Sequence, residues 1–262
     1  MTRRSCSSIP TAIDIGRHPA PLATEALRGE GAVLVDRRGH RFMPGEHVDA
    51  ELAPRDVVAR AVHRQVQSGE GAFLDAREAI SESFPERFPA VFRACMAAGI
   101  DPRRQAIPVA PAAHYHMGGV AAGLDGRTDI PGLYAVGEVG CTGAHGANRL
   151  ASNSLAEALV MGALAGESLA ATDVRPVAPG VAVSPAGLPR PSLERLRKAM
   201  SAYAGVERDA EGLGRLLDTI DELEACDGSA DALVAARLVA TAALERRESR
   251  GAHFRTDYPD TL

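Results

Sequence analysis

Residues 132–160 read GLYAVGEVGCTGAHGANRLASNSLAEALV. The apolar run Leu133-Tyr134-Ala135-Val136 has the length and texture of a short strand, and Gly137 closes it. A polar, Gly-containing loop follows, and Ser152-Asn153-Ser154 are residue types that favour a helix N-terminus. The expected order is strand, Gly-rich loop, helix, with Leu155, Ala158, Leu159, Gly162 and Leu169 roughly along one face. A helix start offers unpaired N–H groups and a positive dipole end, so such a loop suits an anion or an electron-rich ring. Glu138, directly after the strand, presents a carboxylate to sugar hydroxyls. On the residues alone, an ordinary structural turn accounts for the pattern as readily.

Upstream, short apolar strands continue to alternate with Gly turns at Gly118-Gly119-Val120 and Gly126-Arg127-Thr128. His114, Tyr115 and His116 form the densest group of polar rings. In a strand the two histidines share one side and Tyr115 takes the other. A histidine there holds a carboxylate or exchanges a proton near neutral pH, or is simply a satisfied structural residue. No third ligand stands near enough in sequence for a zinc site, and no metal is expected.

Residues 1 to about 110 mix apolar runs with charged helical patterns. Val57, Val58, Ala61, Val62 and Val66 have helical spacing, with Pro54 suited to the first turn. Ser81 to Gly99 reads as a helix interrupted at Pro85 and Pro89. If Thr24 to Arg28 is helical, Glu25 and Arg28 are neighbours and form at least a local ion pair. Arg55 and Arg149 each have the fork that binds a carboxylate, although most arginines are solvated surface residues. Beyond residue 171, five prolines between 176 and 191 mark a linker. Three amphipathic helices follow, on Leu193, Leu196, Met200 and Tyr203, then Leu213, Leu216, Leu217 and Ile220, then Leu233, Ala236, Ala240 and Leu244.

Bulk properties narrow the class. The 262 residues are 45% hydrophobic and 24% charged, ordinary for a soluble globular protein. A formal charge of -5 argues against a nucleic-acid footprint. No apolar run approaches a membrane span, and no apolar segment follows Arg3 and Arg4 to make a secretory signal. Cys6, Cys95, Cys141 and Cys226 form no CxxC pair, so the expected compartment is a reducing cytoplasm.

Several segments, in one order, resemble the L-aspartate oxidases. They are Thr24-Glu25-Ala26-Leu27-Arg28-Gly29-Glu30-Gly31-Ala32, Arg41-Phe42-Met43, Glu51-Leu52-Ala53-Pro54-Arg55-Asp56, Pro111-Ala112-Ala113-His114-Tyr115 with Gly118-Gly119-Val120, and Gly132 to Val139. His145 to Leu155 and the tail Glu248-Ser249-Arg250-Gly251, His253-Phe254 and Asp257-Tyr258-Pro259 complete the set. Fumarate reductase and succinate dehydrogenase flavoproteins share the superfamily, but Ala151-Ser152-Asn153-Ser154-Leu155 and Ala26-Leu27-Arg28 favour the oxidases.

The resemblance implies an α+β fold. A capping domain (residues 1–112, with 1–8 unmatched) leads into the C-terminal part of an FAD-binding α/β domain (113–172), a linker (173–191) and a three-helix domain (192–262). It implies FAD as cofactor and a small dicarboxylate as substrate: L-aspartate oxidised to iminoaspartate, with oxygen or fumarate as acceptor, for quinolinate and NAD synthesis. Arg55 would transfer the proton, Glu25 and Arg28 would form the relay behind it, and Thr24 would lie beside the substrate. His114 and Arg149 would hold carboxylates. Glu138 would hold the FAD ribitol, with Asn153, Ser154 and Leu155 at the flavin's pyrimidine end. Arg250 and His253 read as structural.

Two departures stand out. No GxGxxG turn occurs, so the N-terminal βαβ unit that binds ADP in this family is expected to be missing. The family's His-Pro-Thr-Ala-Leu aligns with Ile9-Pro10-Thr11-Ala12-Ile13, which puts Ile9 at the histidine position; His18-Pro19 would need a shift of nine residues. The expected consequence is a chain that binds FAD weakly or not at all by itself. Without its sheet partners, the strand-loop-helix unit is also expected to expose apolar surface. It would be either one half of a split enzyme, needing a separately encoded N-terminal half, or a non-catalytic remnant.

Overall fold

The structure, a computed structural model, describes residues 5–17, 19–172 and 187–261, with side chains from Thr11 onward. His18, most of the proline-rich linker and the Ile9 side chain lie outside the described residues. The chain divides into two compact units, Ser8–His114 and, chiefly, Tyr115–Leu262.

The first unit is built on a four-stranded sheet in the order β1-β4-β3-β2, with β1 at Ser5–Ile13, β2 at Val33–Val35, β3 at Phe73–Asp75 and β4 at Ile107–Met117. β2, β3 and β4 run antiparallel, pairing Leu34 with Leu74 and Leu74 with Ile107. All three side chains are fully buried, and each contributes about 2 kcal/mol through removal from water.

Four helices complete this unit: α1 (Glu25–Gly29), α2 (Arg55–Gln67), α3 (Phe84–Arg87) and α4 (Pro89–Ala97). The expected amphipathic helix at 55–67 is present and buries Val58, Ala61 and Val62, as its spacing requires. Pro54 occupies its N-cap rather than its first turn. The segment expected as one interrupted helix is a 3-10 turn, Ser81–Ser83, followed by α3 and α4. Each proline starts a new helix, because a missing N–H is harmless only in a first turn.

In the second unit, a parallel pair joins β5 (Val120–Ala121) to β6 (Gly140–Cys141). Leu133–Val136 is not the expected strand. Ala135 N–H bonds to Gly126 C=O at 2.8 Å and Thr128 N–H to Leu133 C=O at 3.2 Å, which makes only an isolated bridge between Arg127 and Tyr134. A strand needs a neighbour along its length, and the described residues offer only this short loop.

α5 (Asn153–Ala170) begins where expected, but it buries Met161 and Ala165. Leu155 and Leu159, on the shared apolar face, are each 77% exposed, and Val160, Leu164 and Leu169 are also exposed, as expected of a helix lacking its sheet partners. The three expected C-terminal helices are α6 (Arg190–Tyr203), α7 (Ala210–Asp227) and α8 (Asp231–Glu245). They share a core of Leu196, Leu213, Leu216, Ile220, Leu233 and Ala240. The tail closes on this bundle through Arg255, whose buried guanidinium donates to the carbonyls of Ala243 and Leu244 at the end of α8.

Candidate active site

Two groups of side chains carry chemistry, one in each unit. In the first unit, Thr24 caps α1, its hydroxyl accepting the Ala26 N–H at 3.4 Å. Fully buried Leu27 fixes this short helix against the core, which holds Glu25 and Arg28 one turn apart. Glu25 Oε1 lies 3.4 Å from Arg28 Nη2, and Glu25 Oε2 accepts from Arg55 Nη2 at 2.9 Å. One carboxylate therefore joins two arginines.

Arg55 is the first residue of α2, where the positive helix end disfavours a cation. Glu25 offsets that cost. Arg55 Nη1 is buried with no hydrogen-bond partner among the described residues. Burial pushes the Arg28 guanidinium below its ordinary pKa; Glu25 opposes this, and the nearby Arg55 charge adds to it. A half-buried carboxylate between two cations, one with a donor to spare, has the charges and donors that proton transfer requires.

The second unit contributes residues around the end of β4. The alternation predicted there is observed, with Tyr115 and Met117 buried and His116 partly exposed. Tyr115 packs edge-on against His145, with ring centroids 5.3 Å apart, and the Arg149 guanidinium lies 4.9 Å above its ring. Burial, reinforced by the negative charges of Glu157 and Glu138, raises the Tyr115 phenol above its usual range and keeps it neutral. Arg149 is itself buried, donating from Nη1 to Leu150 C=O at 3.0 Å, while Met117 sulfur accepts its backbone N–H at 3.1 Å. His114 is exposed and belongs to the first unit.

Glu138 accepts the His116 N–H at 2.9 Å. It sits in a 3-10 turn, Gly137–Val139, pressed against Gly119: a Cβ there would come within 2.3 Å of Val139 O. Only glycine permits this contact, and Gly119 also has φ of +127°.

FAD can be tested against these residues. Ser152, at the α5 N-cap, has φ of 64° and makes no side-chain cap. The expected side-chain cap is therefore absent, because the left-handed backbone turns the serine away from the first turn. An eighteen-residue helix thus begins without a side chain over its first turn. Asn153 and Leu155 are exposed there, and the Leu155 N–H makes a 3.1 Å bond to Ser152 C=O. The Asn153 N–H is likewise taken, by Leu150 C=O at 3.3 Å, so the fit to a flavin rests on the helix dipole at the pyrimidine end and on the exposed Glu138 carboxylate at the ribitol.

A cavity of about 460 Å³ also opens in this unit. Tyr115, His116, the loop 140–147, Glu157, Arg246 and Arg250 line it. Sequence reading passed over Glu157, which gathers the loop: its Oε1 accepts from the Thr142 hydroxyl at 2.7 Å, and its Oε2 lies 2.6 Å from His145 Nε2. It also passed over Glu51, buried and paired with Arg41. Neither contact has a short-range spacing that would reveal it. Among the described residues no group of three His, Cys, Asp or Glu could hold a metal ion, and no helix is long and apolar enough to cross a membrane.

The chain is similar to known protein families. The FAD binding domain family matches residues 6–155, and the fumarate reductase flavoprotein C-terminal family matches residues 222–261. A solved quinol-fumarate reductase with menaquinol molecules superposes with a TM-score of 0.82 at 30% identity, covering 99% of this chain and 55% of that one. The chain belongs to the FAD-binding flavoproteins of the fumarate reductase and succinate dehydrogenase superfamily.

Sequence relatives narrow this further. An L-aspartate oxidase of Caulobacter vibrioides is 62% identical over 96% of this chain and 49% of its own length. One of Rhodospirillum rubrum is 54% identical over 87% of this chain and 86% of its own. The chain is a member of the L-aspartate oxidase family, whose cofactor is FAD. It spans about half the length of most of the curated relatives it matches.

Proposed function

We propose that this chain is the substrate-side portion of an FAD-dependent L-aspartate oxidase, acting on L-aspartate to give iminoaspartate with oxygen or fumarate as acceptor. Its place would be quinolinate and NAD synthesis in the cytoplasm. The carrying observation is Glu25, bound at once to Arg28 and Arg55.

FAD, when bound, supplies a two-electron acceptor beside the substrate carbon. The protein's own residues do the rest. Arg55 moves a proton at Nη1, the guanidinium nitrogen without a partner among the described residues. Glu25 and Arg28 return that proton and keep Arg55 fixed, and Thr24 lies beside the substrate. His114 and Arg149 hold the two carboxylates of a four-carbon dicarboxylate. Glu138 would hold the ribitol, and the backbone at Asn153, Ser154 and Leu155 would meet the pyrimidine end, where the helix dipole favours negative charge. In domain terms we infer a capping domain over 1–112, part of the FAD domain over 113–172, a linker and a helical domain over 192–262.

The exposed apolar residues of α5 support an N-terminal half as partner, since contiguous exposed apolar surface marks an interaction site. The test is to mix the chain with the N-terminal half of an L-aspartate oxidase and FAD, then assay L-aspartate and succinate separately. Aspartate turnover by the mixture, absent from either half, supports the proposal. Succinate oxidation without aspartate turnover assigns the chain to the succinate and fumarate flavoproteins. A stoichiometric yellow chromophore on the chain alone, surviving gel filtration, overturns the need for a partner.

A further inference from the structure

Glu51 stands behind the two arginines without touching substrate or flavin in the reading above. Its carboxylate is buried in the first unit, accepting the Leu34 N–H of β2 at 3.1 Å and Arg41 Nε at 2.9 Å, with Arg41 Nη2 on the other oxygen. Burial works to raise the Glu51 pKa, but the Arg41 and Leu34 hydrogen bonds outweigh it and keep the carboxylate ionised. Its backbone carbonyl does something different: it accepts from Arg28 Nη1.

That carbonyl is aimed by a strained turn. The 3-10 turn Ala50–Leu52 starts from Ala50 at φ of 45°, left-handed for a non-glycine residue. Such a conformation is unfavourable for a residue with a Cβ and persists only where its surroundings hold it. Backbone bonds from Ala50, Leu52 and Ala53 N–H close the turn, and the Arg41 and Leu34 bonds to the next residue, Glu51, anchor it to β2. The same turn runs through Leu52-Ala53-Pro54 directly into Arg55. One anchored residue therefore sets Arg28 through its carbonyl and the start of α2 through the chain.

We propose that Glu51 is a positioning residue, its Arg41-paired carboxylate fixing the Ala50–Leu52 turn so that the Glu51 carbonyl holds Arg28 in register with Glu25 and Arg55. The structural part stands by itself. The catalytic consequence rests on the proton-relay reading.

The test uses the full chain labelled with ¹⁵N-arginine, with Arg28 assigned through Arg28→Lys, and follows hydrogen exchange of the side-chain N–H groups. Glu51→Gln keeps size but loses charge. It is expected to speed exchange of the Arg28 guanidinium by about tenfold or more, the mark of local opening. Arg41→Gln alters the more exposed partner, so the fold is retained and a smaller increase is expected. Arg41→Lys, which keeps the charge, restores part of the protection. Unchanged Arg28 exchange in folded Glu51→Gln overturns the proposal. If that variant does not fold, unchanged exchange in Arg41→Gln overturns it. In the enzyme assembled with its N-terminal half, Glu51→Gln is expected to shift the pH profile of kcat while leaving KM in place. Faster Arg28 exchange with an unmoved pH profile supports the positioning contact and instead overturns the relay reading.

Discussion

Glu25 Oε2 accepts a 2.9 Å hydrogen bond from Arg55 Nη2, although the two residues are 30 positions apart. The bond ties α1 to the first residue of α2 and leaves Arg55 Nη1 without a partner among the described residues. If Nη1 is the proton donor and acceptor, Arg55→Lys, which keeps charge but not the fork, should lower kcat of the assembled enzyme by about a hundredfold or more. KM should change much less. Steady-state kinetics on L-aspartate measures both, and a kcat within threefold of the parent would remove Arg55 from the proton path.

Glu25→Gln should give a loss of similar direction by a different route. The amide still accepts from Arg55 Nη2 but no longer carries the proton or balances two cations. Buried Arg28 then sits beside Arg55 with only the Glu51 carboxylate as counter-charge, so a stability loss on the order of 1–3 kcal/mol is also expected. Urea unfolding of the chain alone separates this from the kinetic effect, which the assembled enzyme reports.

Sequence made the local parts of the site legible and hid the distant ones. Glu25 and Arg28 are neighbours because three residues on a helix bring side chains together, and the burial of Tyr115 follows from strand alternation. Glu51 reaches Arg28 across 23 residues and Leu34 across 17, distances at which no periodicity operates. The same holds for Glu157 and Thr142, 15 residues apart. The strand expected at Leu133–Val136 failed, and the apolar face of α5 stands exposed, for one shared reason. Apolar patterning says that a surface is to be covered, and coverage needs a partner that the described residues do not supply.

That uncovered face yields a prediction about assembly. Leu159 is 77% exposed, so Leu159→Glu should alter the stability of the isolated chain by no more than about 0.5 kcal/mol. It should nonetheless abolish association with an N-terminal half, because a carboxylate buried without a partner is costly. Gel filtration of the mixture checks this; a complex forming as well with Leu159→Glu as with the parent would place the docking surface elsewhere.

Gly119 links backbone geometry to cofactor affinity. Gly119→Ala would put a Cβ within 2.3 Å of Val139 O, at a φ of +127°. The turn carrying Glu138 must then move, so FAD affinity of the assembled enzyme should fall at least about tenfold. The chain itself should lose about 1–3 kcal/mol of stability. Flavin fluorescence titration reads the first quantity and thermal unfolding the second. Unimpaired FAD binding by a Gly119→Ala enzyme would exclude Glu138 from the ribitol site.

His253 predicts how stability depends on pH. It is fully buried, with Nδ1 3.2 Å from Arg208 Nη1 and Nε2 3.0 Å from Arg246 C=O. Burial first, then the positive charges of Arg208, Arg246 and Arg255, outweigh the Arg246 carbonyl and depress its pKa from 6.5 to about 4. Between those values the unfolded chain binds the proton and the folded chain does not, so stability must rise with pH. The contribution is fully present above pH 6.5 and is lost as pH falls toward 4; its upper limit is about 3 kcal/mol. Glu248 and Asp257 are held below their ordinary range, so their own losses fall at the acid end of this interval and beyond. Urea unfolding between about pH 5 and 7 therefore isolates the histidine. His253→Gln should lower stability at pH 7 and flatten the slope across this window. An equal slope in parent and variant would show that His253 is not the group responsible.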